Sequence, residues 1–148
     1  MNNKNIDISK LSLSTTRKRA MAFVIDDILI NIVLIVMFWD MIKGGTYETV
    51  VLVLKEEVYK IIFLKFLYQS IFIWYYGATV GKKIMKIRVI TFDTYKNVSL
   101  LQSSLRSIGR VLSELYFYLG FLLAFFTASR QTFHDKIGKT LVVDEIES

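Results

Sequence analysis

The sequence predicts a mainly α, helical integral membrane protein with about three membrane segments and a small cytoplasmic β-hairpin. Three observations carry that expectation. Of the 148 residues, 53% are apolar and 14% aromatic, more than an ordinary soluble domain holds. The apolar residues gather in runs near the ~20 residues that cross ~30 Å of hydrocarbon. Lysine and arginine, which leave a net charge of +6, flank those runs, as they do in the short cytoplasmic loops of membrane proteins.

Residues 1–16, "MNNKNIDISKLSLSTT", form a polar N-terminal tail. They are no signal peptide, because the apolar run that follows is too long and no small-residue cleavage site closes it. The membrane domain covers 17–143, and 144–148 is a C-terminal tail. The first segment is Ala20–Trp39, interrupted by Asp26 and Asp27. The second is Val58–Tyr76, weakened by Lys60, Lys65 and Gln69. Trp39 closes one, and Trp74, Tyr75 and Tyr76 close the other, at the headgroup level these rings prefer. Between them "KGGT" at 43–46 marks a turn.

The connection 77–110 carries Lys82, Lys83, Lys86, Arg88, Lys96, Arg106 and Arg110 against Asp93. That bias places the N terminus and this connection in the cytoplasm and residues 40–57 outside. Within it, "KIRVITF" (86–92), "DTYKN" (93–97) and "VSL" read as a hairpin, and "KTLVV" (139–143) as a further strand. Residues 99–111 read as an amphipathic helix on the membrane surface, with Leu101, Leu105, Ile108 and Leu112 on one side and Arg106 and Arg110 on the other. The third segment is Val111–Ala128, with Glu114 near its start. Three full crossings would put the C terminus outside. The basic "SRQTFHDKIGK" and its strand, whose most natural partner is the cytoplasmic hairpin, favour the inside, and a segment over 100–128 that dips in and returns reconciles the two.

With no cysteine in the chain, disulfides and thiol chemistry are excluded. A single histidine, His134, is too little for a metal site, and no cofactor is expected. His134-Asp135 lacks a nucleophile at a recognisable spacing, so no enzyme is read here. The expected role of Asp135 is a salt bridge to Arg88, Arg106 or Arg110. "GATVGKK" is not a phosphate loop, since its glycines are too close and Lys82 is followed by lysine. It reads as a turn that holds Lys82 and Lys83 at anionic headgroups. The same position beside a membrane segment argues against nucleic acid as a partner.

Three stretches together resemble the RDD family of bacterial membrane proteins. "RKRAMAFVIDD" supplies Arg19, Ala22 and Asp26; "GATVGKKIMKIRVI" supplies Gly77, Thr79, Gly81, Lys82 and Arg88; "RQTFHDKIGKTLVV" supplies Arg130, Gln131, His134, Asp135 and Thr140. Arg106, Arg110 and Glu114 fall at the spacing of the family's Arg-x-x-x-Arg-x-x-x-acid run. Asp27 is an extra acid, and Gly-Lys-Thr replaces the common Ala-Gly-Thr. The resemblance implies a membrane protein of the bacterial cytoplasmic membrane. Most members have no established function, and transport, including cation/proton antiport, is the usual suggestion.

Asp26 lies about 9 Å from the cytoplasmic end of its helix and Gln69 about 10–11 Å, with Lys65 about 6 Å deeper and Glu114 about 5 Å in from Val111. These side chains can form one polar layer, with Arg19 two turns before Asp26. One reading is a cation or proton site, in which Asp26 carries the ion, Arg19 tunes it, and Gln69 and Lys65 line the layer. Transport of a small cation by a homo-oligomer would follow. The other reading is hydrogen-bonded glue between helices, worth roughly 1 kcal/mol per contact, in a non-transporting scaffold or regulator. Asp27, rotated by about 100° from Asp26, is expected to make a separate, minor contact.

Overall fold

The computed structural model describes residues 11–115 and 131–144. Its first helix, α1 (Thr16–Met37), starts before the expected segment because the Thr15 hydroxyl accepts from the Lys18 N–H. Ala22, Asp26, Ile30 and Leu34, spaced by four, form its buried stripe. Met21, Val24, Ile28, Ile32 and Ile35 face outward. Among the described residues α1 is the one helix long and apolar enough to cross a membrane.

The connection after α1 is mostly helical, with α2 (Trp39–Ile42) and α3 (Tyr47–Glu56) on either side of the expected turn at 43–46. A Thr46–Thr49 capping box starts α3, and Val53 packs with Ile30, Leu34 and Phe38. Next, α4 (Val58–Tyr76) has the expected bounds and 19 residues. Its lysines and Gln69 keep it below the apolarity of a clear membrane span. Of the expected third segment, 116–128 lies outside the described residues.

Gly77 ends α4 in the left-handed region at φ 71, a conformation that glycine adopts without a steric penalty. Thr79 then caps α5 (Val80–Ile84), which packs on α1. Strand β1 (Ile87–Thr91) follows, then α6 (Leu100–Leu115), α7 (Phe133–Gly138) and β2 (Thr140–Asp144).

The expected hairpin does not form. β1 pairs antiparallel with β2, Val89 opposite Val142, and not with residues 98–100. Val98 is buried in the core beside Ala22, Ile73 and Val89. Ser99 caps the next helix, accepting at its carbonyl from the Ser103 N–H and at its hydroxyl from the Gln102 N–H. Capping and burial therefore take the residues that would have made the return strand. On the other edge of β2, Leu13 bridges Val143, and the Ser14 N–H donates to the Val142 carbonyl at 3.1 Å. Leu13 and Ser14 of the expected tail thus lie against the edge of the sheet. The start of α1, β1 and the end of the described chain all meet at one end of the molecule.

α6 joins what the sequence divides into a surface helix and the start of a third segment. Its orientation is also the reverse of a surface helix on a soluble core. Arg106 is 1% exposed and Arg110 is buried, whereas Leu101 is 71% exposed and Leu105, Ile108 and Leu112 also face out. Small residues make the inward face: the Ser103 hydroxyl donates to the Ser70 carbonyl of α4 at 2.6 Å. An apolar exterior over a polar interior is favourable when the exterior meets lipid.

Candidate functional site

Three polar clusters lie inside this apolar exterior, each centred on a carboxylate. The first is Asp26, fully buried on the inner stripe of α1. Its Oδ1 accepts from the Tyr68 hydroxyl at 2.7 Å and the Gly81 N–H at 2.8 Å, and its Oδ2 accepts from the Thr79 hydroxyl at 2.6 Å. The Tyr68 oxygen in turn accepts from the Val80 N–H at 3.1 Å. The Gly-x-Thr-x-Gly stretch is therefore a receptor for the α1 carboxylate. Gly81 is required for the approach, since a Cβ there would sit 2.1 Å from the Ala22 carbonyl oxygen and 2.9 Å from Oδ1 of Asp26.

This corrects the expected surroundings of Asp26. None of Arg19, Lys65, Gln69 or Glu114 donates to it or pairs with it, because its oxygens are taken up by α4 and α5. Tyr68 was not singled out from the sequence; the available signal was a phenol in a mostly apolar helix, which needs a partner once buried. Lys82 is also placed differently from the sequence reading. It is 6% exposed, so its stem is packed inside and not laid on headgroups. Burial, reinforced by Arg106 and Arg110, holds its amine well below the ordinary lysine range. Lys83 is exposed.

The second cluster is Asp135. A Thr132–Asp135 capping box starts α7, with the Thr132 N–H donating to Oδ2 of Asp135 at 3.1 Å. Arg106 of α6 donates to Oδ1 through Nε at 3.1 Å and Nη2 at 2.9 Å. Arg19 at the start of α1 donates to Oδ2. Of the three arginines expected for Asp135, Arg106 is the partner; Arg88 instead donates to Asn97 at 2.6 Å, and Arg110 pairs with Glu114. Arg19 joins Asp135 because the first turn of α1 faces α7. Burial pushes the Asp135 carboxyl up, but Arg19 and Arg106 outweigh it and hold the group well below the usual carboxylate range. His134 is buried beside it, with Nε2 2.9 Å from the Thr132 hydroxyl. Burial keeps its pKa well below the ordinary histidine value, so the ring is neutral at pH 7.

The third cluster is the polar layer, and it holds Glu114 and Asp27, not Asp26. A small cavity between α1, α4 and α6, about the size of one water, is lined by Asp27, Lys65, Gln69, Ser107, Arg110 and Glu114. Lys65 Nζ lies 2.9 Å from Glu114 Oε2 and 3.7 Å from Asp27 Oδ1. Arg110 Nε lies 3.3 Å from Glu114 Oε1, and its guanidinium covers the Phe23 ring at 4.8 Å. Asn31 donates to Asp27 at 3.1 Å. Gln69 is 3% exposed, yet neither its Oε1 nor its Nε2 has a hydrogen-bond partner among the described residues. One step along α1 turns the side chain by about 100°. That rotation sends Asp26 to α5 and Asp27 to α4 and α6. Among the described residues no three metal-ligating side chains of the His, Cys, Asp or Glu type converge.

The sequence profile of the RDD family matches residues 13–139. Two curated relatives, each described as a proline-rich antigen homolog, come from Mycobacterium tuberculosis strains CDC 1551 / Oshkosh and ATCC 25618 / H37Rv. Each is 30% identical over 67 residues, which is 45% of this chain and 28% of the relative. The match thus covers little more than a quarter of those relatives' length. No solved structure matches the chain.

Proposed function

This chain belongs to the RDD family, and from that premise we propose that it is a non-transporting scaffold or regulator in the bacterial cytoplasmic membrane. The observation that carries the proposal is the state of the two motif acids. Asp26 and Asp135 are fully buried, and both oxygens of each are held by the protein's own donors. A carboxylate that cycles an ion needs a face open to it at some stage. These two serve instead as latches: Asp26 ties α1 to α4 and α5, and Asp135 ties α1 to α6 and α7. In this reading the apolar exterior of α1, α4 and α6 meets lipid, and Lys83 and its basic neighbours meet anionic headgroups. The small sheet, with both ends of the described chain, lies in the cytoplasm.

Two measurements test it. Reporters placed before Leu11 and after Ser148 are expected to give cytoplasmic signal from both; signal from opposite sides would sink the topology. Purified protein in liposomes is expected to move no sodium, potassium or protons above empty vesicles, and Asp26→Asn is expected to be lost from the membrane.

A second reading, transport of a small cation by an oligomer, is favoured by the polar layer between α1, α4 and α6, with its open-ended Gln69. Flux above empty vesicles that Glu114→Gln abolishes would establish it over the first.

A further inference from the structure

We propose that the pocket between α1, α4 and α6 binds a monovalent cation in exchange for the ammonium of Lys65. The site deepens the second functional reading, since it rests on the same polar layer, and its geometry can be tested apart from flux. Lys65 Nζ lies between Glu114 Oε2 at 2.9 Å and Asp27 Oδ1 at 3.7 Å. It occupies the position that a small free cation would take. Its side chain is 23% exposed, and its flexible four-carbon stem allows the ammonium to withdraw toward water.

When it withdraws, four oxygen-bearing side chains line one water-sized space: the carboxylates of Asp27 and Glu114, the Ser107 hydroxyl and the Gln69 amide. The Ser107 proton is already given to the Ser103 carbonyl at 2.8 Å, which leaves the Ser107 lone pairs for a cation. Gln69 is the independent pointer. It is buried to 3% with an unpartnered carbonyl oxygen, a state that is costly unless a further group enters the pocket.

Charge balance selects the ligand class. Lys65 and Arg110 offset Asp27 and Glu114. Exchange of one ammonium for one monovalent cation keeps that balance. A divalent ion would leave an uncompensated positive charge, and an anion would leave a negative one, each expensive in a partly buried site. Oxygen ligands of this kind suit the alkali cations.

The test is thermal unfolding of the purified full chain in detergent, in sodium or potassium chloride against choline chloride at equal ionic strength. Binding to the folded state alone raises the unfolding temperature in a saturable way. The wild type is expected to be more stable in the alkali salt. Lys65→Met is expected to be weakened in choline and rescued by the alkali cation, with half-saturation about tenfold lower, as loss of one competing ion pair would give. Gln69→Leu is expected to be at least as stable as wild type in choline and to lose the salt response. The proposal is overturned if wild type and Lys65→Met both unfold identically in the two salts, or if Gln69→Leu keeps the full response. Saturable stabilisation without vesicle flux supports the site and leaves the scaffold reading intact. Flux unaccompanied by such stabilisation would remove the site while favouring transport.

Discussion

At the scale of single residues, adjacent aspartates have separate assignments. Asp26 belongs to a closed latch and Asp27 to an open polar layer. The latch has a steep and a shallow way to fail. Gly81→Ala places a methyl against the α1 backbone at 2.1 Å, so the two helices must separate. It is expected to cost about 3 kcal/mol or more and to deplete the protein from membranes. Tyr68→Phe removes the hydrogen bond to the Asp26 carboxylate and the acceptor of the Val80 N–H, and is expected to cost about 1.5–3 kcal/mol while the fold persists. Denaturation in detergent micelles would rank the two; a smaller loss for Gly81→Ala would refute the close-approach argument.

His134 gives a pH signature. Its folded pKa is lowered, so its contribution is complete above the unfolded value of about 6.5 and is lost as the pH falls below it, by up to about 1.4 kcal/mol per unit. Asp135 is also lowered, but its contribution is lost only below about pH 4. Stability is therefore expected to fall between pH 6.5 and 5, and His134→Gln, which keeps a polar end near Thr132, should flatten that slope. Which residues meet in the buried clusters was largely legible in the sequence, since Arg19, Asp26, Thr79, Gly81, Arg106 and Asp135 stand at motif positions. The partners of Asp26 were not, because its donors come from 42, 53 and 55 positions away.

At the scale of elements, α6 separates the two tasks that periodicity cannot distinguish. A stripe of leucines opposite a stripe of arginines fits a helix lying on a membrane and equally a helix with its charges turned into a bundle. The partners decide, and Asp135 and Glu114 hold the arginines inside. Arg106→Leu strands a buried carboxylate with fewer donors and is expected to cost about 3–5 kcal/mol. Leu105→Ser changes an outward position and is expected to cost less than about 1 kcal/mol in detergent. Equal losses in chemical denaturation would return α6 to the surface-helix reading. The strands were legible as β-rich runs, but the local turn suggested the wrong partner. Thr91 does bond back to Lys96 at 2.9 Å, yet Val98 and Ser99 had stronger employment in the core and at the cap.

At the scale of the whole molecule, the unit closes on itself. Leu13 and Val143 bridge in one sheet, and Lys18 pairs with Asp144 at 2.8 Å. Arg19 meets Asp135 across 116 positions. The helical class and the apolar membrane character were visible in composition and run length, and the closure was legible in the strand at 139–143, whose natural partner is the β-rich stretch at 86–92. Its consequence concerns the order of synthesis. A ribosome releases α1 long before Asp135 emerges, so Arg19 meets that carboxylate only after 116 further positions have been made. Until Asp135 and β2 emerge, the latch that ties α1 to α6 and α7 and the pairing of β1 cannot form. Chains ending at residue 131 are expected to be degraded rapidly in a pulse-chase experiment, and a separately expressed segment from Gln131 to Ser148 should lengthen their lifetime. Equal lifetimes for the truncated and full chains would show that closure plays no part in survival.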